Sequence, residues 1–347
     1  MRVLLVGGAG YIGIHTAIAL SEAGHEALIF DNLANSSLEA VARLRQIVGK
    51  EIPTRIGDAC HAESLKSFVR ENSPIDAVIH FAGLKSVAES VIDPLEYYRV
   101  NIGSALAVLE TMESEGIATI VFSSSATVYG YSEALPLRET TPTGLDLANP
   151  YGKTKRMIEE IITDAAAADP RLRAVNLRYF NPVGAHSSGL VGEDPAGTPN
   201  NLMPYIARVA VGALDRVGIF GNDYDTPDGT GLRDYIHVMD LAEGHVAALV
   251  HAAPGCDTYN LGTGRPVSVL ELIDAFGRAC GRRIRTEIMP RRAGDVAVSY
   301  CDPAKANKEL DWRATRTIDE ACRDSWRWQS RNPNGYSAVD ALSGSPS

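Results

Sequence analysis

Residues 3–13 read Val-Leu-Leu-Val-Gly-Gly-Ala-Gly-Tyr-Ile-Gly, an apolar run that breaks into glycines at 7, 10 and 13 before Ala17, Ile18 and Leu20 resume a helical pattern. A strand, a tight turn and a helix in that order make the first unit of a nucleotide-binding α/β fold. Missing side chains let the backbone turn sharply and come close to a pyrophosphate, whose charge is favoured at the helix N-terminus. The next apolar run, from position 26, ends in Asp31, 18 residues after Gly13. There a carboxylate can accept both ribose hydroxyls, and it would repel a 2′-phosphate. With no Arg directly after Asp31, the loop selects NAD over NADP.

Further apolar, β-branched runs begin near positions 53, 77, 119 and 174, with helical periodicity between them. Leu38, Val41, Leu44 and Val48 share one such face, with Ser36 or Ser37 placed to cap it. Continuous apolar runs joined by 20 to 40 residues are strands buried on both faces and linked by helical crossovers. The fold class is therefore α/β, a Rossmann-type doubly wound parallel sheet over residues 1–180. From Asn181 the chain becomes rich in Gly, Pro and Asn. Residues 181–340 are expected to form a smaller, mixed α/β substrate domain, with possible returns to the first, and 341–347 a flexible tail.

The chain's 347 residues are 45% hydrophobic and 22% charged, ordinary for a globular protein of about two domains. Lys and Arg number 33 against 43 Asp and Glu, a formal charge of −10 that disfavours nucleic acid and anionic membranes as partners. Five cysteines without a C-x-x-C pair fit reduced thiols. No apolar run reaches 18 residues, and a strand already begins at Arg2-Val3, so a cytoplasmic protein is expected. No metal site is expected. Asp223, Asp225, Asp228 and Gly229 imitate an EF-hand opening, but the third Asp and the Gly each fall one place late. His80, ending an apolar run, is expected to be a core residue with its hydrogen bonds satisfied.

Tyr151 and Lys155 are four residues apart, so a helix through Ile162 carries both on one face. A free phenol has a pKa of about 10, and each unit of depression needs about 1.4 kcal/mol of preferential anion stabilisation. The Lys155 ammonium and an oxidised nicotinamide act in that direction. A third hydroxyl is needed at a neighbouring strand end, and Ser123-Ser124-Ser125 closes the fifth run.

At this point the chain resembles the extended short-chain dehydrogenase/reductase superfamily and, within it, the UDP-glucose 4-epimerase family. The motifs are GGAGYIG at 7–13, DNLANS at 31–36, HFAGLKSVAES at 80–90, PLEYYRVN at 94–101, FSSSATVYG at 122–130, PYGKTK at 150–155, RYFNPVGAH at 178–186, PNNLMPYI at 199–206, IFGNDYDTPDGTGLRDYIHVMDLA at 219–242, YNLGTG at 259–264 and PRRAGD at 290–295. The resemblance implies interconversion of UDP-glucose and UDP-galactose: transient NAD-mediated oxidation at C4, rotation of the 4-keto sugar, and reduction on the opposite face. Tyr151, Lys155 and Ser125 would be catalytic, with Thr127 assisting. Cofactor contacts would come from Gly7, Gly10, Tyr11, Ile12, Gly13, Asp31, Asn32, Asn35, Ser36, Asp58, Ala59, Phe81, Ala82, Gly83, Lys85, Asn101, Ser123 and Phe180, besides Tyr151 and Lys155. The substrate would meet Tyr179, Asn181, Asn201, Leu202, Phe220, Arg233, Tyr235, Arg292, Asp295 and Ser299, besides Ser125 and Thr127. The family also implies a homodimer. Arg233 and Arg292 make physical sense here, because a diphosphate in an acidic chain requires planar cationic forks.

Related nucleotide-sugar 4,6-dehydratases carry Thr-Asp-Glu where this chain has Ser125, Ala126 and Thr127, and related decarboxylases place Glu at Thr127. Without those carboxylates, water elimination lacks its acid and base. Another NAD-dependent nucleotide-sugar dehydrogenase or dehydratase, and a non-catalytic nucleotide-sugar sensor, stay open as alternatives. Family members restricted to unacetylated sugars tend to carry a bulky Tyr four residues beyond Asp295. Ser299 here implies room for an N-acetyl group, hence turnover of UDP-GlcNAc and UDP-GalNAc, unless the adjacent Tyr300 fills the gap.

Overall fold

Each of the six apolar runs of the first half becomes a strand. The computed structural model describes residues 1–197, 199–292 and 294–336, so the tail expected over 341–347 lies outside the described residues. Along the first half run β1 (Arg2–Val6), α1 (Tyr11–Glu22), β2 (Glu26–Asp31), α2 (Leu38–Val48), β3 (Thr54–Ile56), α3 (Ala62–Glu71) and β4 (Ala77–His80). Then follow α4 (Val87–Ile92), α5 (Pro94–Glu115), β5 (Thr119–Ser125), α6 (Pro150–Ala168) and β6 (Arg173–Tyr179). The second half holds β7 (Asn181–Val183), α7 (Leu202–Ala210), β8 (Val217–Phe220), β9 (Leu232–His237), α8 (Val238–His251) and β10 (Gly255–Leu261). It continues through β11 (Pro266–Ser268), α9 (Val269–Cys280), β12 (Thr286–Met289), β13 (Val298–Ser299), α10 (Ala304–Glu309) and α11 (Ile318–Arg331).

Seven strands form one parallel sheet in the order β3-β2-β1-β4-β5-β6-β10. Its interior strands are predominantly apolar because both faces are covered. Val3, Leu5, Ile29 and Ile79 pack with Ile18 of α1 and Leu241 of α8 on one side. Leu4, Val6, Phe30 and Val78 pack with Phe68, Val108, Ile158 and Ile162 of α3, α5 and α6 on the other. The winding reverses between β1 and β4, which opens a crevice beyond the carboxyl ends of these strands, where ligands of such sheets bind.

Residues 238–261 rejoin the large sheet from beyond position 180: β10 pairs with β6, and α8 lies against α1. The remaining strands form two small sheets. One has the order β11-β9-β13, with β7 also on β9, and the other is the parallel pair of β8 and β12. Val183, Ile206, Ile219, Leu272 and Phe276 make the core beneath them.

His80 departs from expectation. It is fully buried and lies against Phe122, with ring centroids 5.8 Å apart, but neither ring nitrogen has a hydrogen-bond partner among the described residues. It is core without being satisfied. Burial lowers its pKa to about 3, so the ring stays neutral and escapes the larger cost of a buried charge.

Candidate active site

The glycine loop is shaped by three separate needs. Gly7 has φ +79°, and a Cβ there would come within 2.5 Å of the Ala82 backbone nitrogen. A Cβ on Gly13 would fall 2.6 Å from the Gly8 carbonyl oxygen, so this glycine lets α1 lie close to the loop. Gly10 caps α1 without a side chain, and the first turn carries no acid. Unpaired amides and helix polarity there suit an anion.

Asp31, 8% exposed, ends β2 beside this loop. Its carboxylate accepts from Ala9 N (2.9 Å), Leu33 N (2.8 Å) and Ser36 Oγ (2.8 Å). Asn32 accepts from Ala34 N and Asp58 from Cys60 N, each bracing its own loop, while Asn35 reaches across to Ala196 N. Ala59 is buried after β3, and Ile12 packs against the core. The Tyr11 hydroxyl donates to Gly184 O at 2.7 Å, tying α1 to the segment after β7. Beyond β4, Phe81 N and Ala82 N both donate to Val6 O, and Gly83 takes φ +150° against Asn101. Asn101 is 1% exposed: its Oδ1 accepts from Leu84 N, and its Nδ2 donates to Leu84 O and to Thr154 Oγ1. It rivets the loop after β4 to α6.

Helix α6 is started by Asn149, whose side chain accepts from Gly152 N at 2.8 Å, and by Pro150 in its first turn. That start fixes Tyr151 and Lys155 one turn apart, facing the end of β5. Lys155 Nζ donates to the Ser123 carbonyl at 2.7 Å and stands 4.9 Å from the Phe122 ring centroid and 5.9 Å from that of Tyr151. Burial lowers the Lys155 pKa to about 8 against the pull of Glu159. Burial raises the Tyr151 phenol, and the Ser125 hydroxyl acts the other way. Ser125 Oγ in turn accepts from Thr127 Oγ1 at 3.0 Å. Phe180 and Tyr179 are both buried at the end of β6, and the Tyr179 hydroxyl donates to Ser123 Oγ. Those two hydroxyls satisfy each other in the core.

Across the crevice, the second half supplies a more open wall. Asn181 is exposed on β7, opposite buried Tyr235 of β9. Burial raises the Tyr235 phenol, partly offset by Arg233. Arg233 forms an ion pair with Asp295 and donates to Leu232 O at 2.8 Å. Ser299 stands in register with Arg233 in the adjoining strand. The Arg292 guanidinium lies 3.7 Å from the Phe220 ring centroid, a cation–π contact. Leu202 opens α7, and Asn201 before it donates to Glu193 Oε1 at 3.0 Å.

Two features had gone unread in the sequence. Glu193 stands between the walls, accepting from Asn201 and 3.7 Å from Lys85 Nζ. Behind Lys155, Glu159 and Arg178 form an ion pair at 2.6 Å, only 3% and 7% exposed. Their signal was available: Glu159 continues the Tyr151–Lys155 stripe, and a charge inside the apolar run around Arg178 demands a buried partner.

Residues 3–262 match the model of the NAD dependent epimerase/dehydratase family. The chain belongs to that family. Among its curated members, the UDP-glucose 4-epimerase of Bacillus subtilis (strain 168) is 53% identical over 342 residues, covering 98% of this chain and 100% of the relative. That of Dictyostelium discoideum is 53% identical over 97% of this chain and 98% of its own. Among solved structures, UDP-glucose 4-epimerase from Bifidobacterium longum in complex with NAD+ and UDP superposes with a TM-score of 0.93 at 52% identity, covering 96% of this chain and 100% of that one. In this chain the sheet order places the glycine loop, the acidic strand end and the Tyr–Lys pair along one crevice.

Proposed function

We propose that the chain is an NAD-containing UDP-glucose 4-epimerase that interconverts UDP-glucose and UDP-galactose. The observation that carries this is the meeting of Tyr151, Lys155 and Ser125 at the end of β5, beside a glycine loop fitted for a dinucleotide. The residues suit NAD: side-chain-free approach at Gly7, α1 amides at Gly10, and the Asp31 carboxylate for ribose hydroxyls. When bound, NAD supplies a reversible acceptor for the hydrogen on sugar C4.

Tyr151 takes the proton from the sugar 4-hydroxyl and later returns it, with Ser125 holding the same oxygen and Thr127 steadying Ser125. Because burial opposes ionisation of the Tyr151 phenol, a nearby cation is required, and Lys155 provides it. Arg233 and Arg292 grip the diphosphate and uridine side, with Asn181, Asn201, Leu202, Phe220, Tyr235 and Asp295 around them. Anchoring at that end leaves the hexose free to turn, so the 4-keto sugar presents its other face before reduction.

Ser299 supports acceptance of UDP-GlcNAc and UDP-GalNAc. It pairs in register with Arg233, on the wall that carries the diphosphate-binding arginines. Ser299→Tyr should suppress turnover of the acetylated sugars selectively; no turnover of either by the unaltered protein would refute dual specificity. A homodimer is supported by apolar side chains exposed on α4, α5 and α6, including Val91, Ile92, Leu95, Leu106 and Met157. No helix among the described residues is long and apolar enough to cross a membrane, and the five cysteines are free, in keeping with a cytoplasmic setting.

Incubating purified protein with UDP-glucose, with no NAD added, tests reaction class and cofactor retention together. UDP-galactose should form without NADH entering solution. Stoichiometric NADH release would favour a dehydrogenase instead.

A further inference from the structure

Helix α6 carries Tyr151, Lys155 and Glu159 at intervals of four, one turn apart along one stripe. Glu159 is the innermost. Its oxygens accept from Ser124 Oγ (2.5 Å), Arg178 Nε (2.9 Å) and Arg178 Nη2 (2.6 Å). Ser124 lies in β5 between Ser123, whose carbonyl receives Lys155, and Ser125, the hydroxyl facing Tyr151. One carboxylate thus clamps the strand and the helix that together carry the reacting groups.

The same carboxylate acts on the charge of its neighbour. Lys155 is buried under Phe122 and β5, which drives its proton off, and Glu159 is the charged group that opposes this. Other groups face this space from the packed strands and from α5. From β4, His80 is neutral. From β6, Arg178 is engaged twice by Glu159, and burial keeps the Tyr179 phenol protonated. The turn after β5 adds Tyr129, whose hydroxyl accepts from Arg178 at 3.2 Å and whose pKa burial raises to about 12. From β10, burial pushes the Cys256 thiol up, and from α5, uncharged Asn101 reaches Thr154. Among these, Glu159 is the anion. Without it, the Arg178 guanidinium would stand uncompensated behind Lys155 and repel the ammonium further.

We infer that Glu159 is a positioning residue for proton transfer: clamped by Arg178 and Ser124, its carboxylate keeps the Lys155 ammonium charged and seated on the Ser123 carbonyl beside Tyr151. This rests on the roles proposed above for Tyr151 and Lys155. A merely structural Glu159 would affect melting alone, so the test follows ionisation.

In the protein as purified, with no sugar present, tyrosinate ultraviolet absorbance is titrated with pH and Tyr151→Phe is subtracted from wild type, isolating Tyr151. The same subtraction in a Glu159→Gln background should move to higher pH by about one unit, a tenfold loss of acidity. The acid limb of kcat with UDP-glucose should move up with it, and Glu159→Asp should restore most of the wild-type profile. Glu159→Gln with Arg178→Met, which leaves no unpaired buried charge, should show a smaller displacement in the same direction, because the repulsion from Arg178 goes with the attraction of Glu159, and it covers a single variant that fails to fold. Folded variants with an unmoved Tyr151 titration and only a lower melting temperature would overturn the inference. Because the titration needs no substrate, wild-type protein inert toward UDP-glucose would count against the epimerase activity and leave this result readable.

Discussion

The two walls of the crevice are built on opposite terms. On the sheet side, Asp31, Asn101, Ser123 and Lys155 are buried and already hydrogen-bonded to backbone or core side chains. On the other side, Asn201, Arg233 and Arg292 each lean on a neighbour of the same surface: Glu193, Asp295 and the Phe220 ring. A proton acceptor must be held to within tenths of an ångström, whereas an anchor for a flexible diphosphate needs charge more than rigidity. Preorganisation on one wall and compliance on the other are what an inverting turn of the sugar requires.

Perturbing the rigid wall should therefore cost most. Tyr151→Phe removes the proton acceptor without disturbing packing, and kcat for UDP-glucose should fall about 10³-fold while bound NAD, measured after denaturation, remains stoichiometric. Near-normal turnover would remove Tyr151 from its role. Gly13→Ala would place a Cβ 2.6 Å from the Gly8 carbonyl, so α1 must shift; NAD content after purification should drop sharply, with about 1–3 kcal/mol lost in denaturant unfolding. Full NAD occupancy in that variant would contradict the close packing of loop and helix. On the compliant wall, Arg233→Ala should act mainly through KM, raised about 10- to 100-fold, since a charge-assisted hydrogen bond contributes about 1.5–3 kcal/mol. A loss confined to kcat would mean that the two walls do not divide the work this way. The smallest effect belongs to the start of α6: Asn149→Ala should lower stability by about 1 kcal/mol, read as a shifted urea midpoint.

The sheet was legible because its strands are buried on both faces, so their apolar runs stand out at Val3–Val6 and Ala77–Ile79 without any knowledge of neighbours. The glycine loop and the Tyr151–Lys155 pair were legible for a related reason, namely that their spacing in sequence is their spacing in space. Glu159 and Arg178 were missed because their partnership spans a helix and a strand, so the charge inside the apolar run at Arg178 signals a buried partner without saying which residue supplies it. His80 shows the converse: an imidazole ending an apolar strand is expected to find a hydrogen bond, and this one stays neutral against Phe122 instead. Glu193, between Lys85 and Asn201, depends on a loop that carries no periodic signal at all.

The return of residues 238–261 to the large sheet has a consequence for engineering. A fragment ending near position 180 would leave β6 with one flank of amides and carbonyls bare and would uncover the side of α1 that α8 shields, inviting strand-to-strand aggregation. Chimaeras that splice a foreign specificity segment onto the first 180 residues would inherit the same defect. Retargeting this scaffold is better pursued by point changes at its rim than by exchanging whole modules.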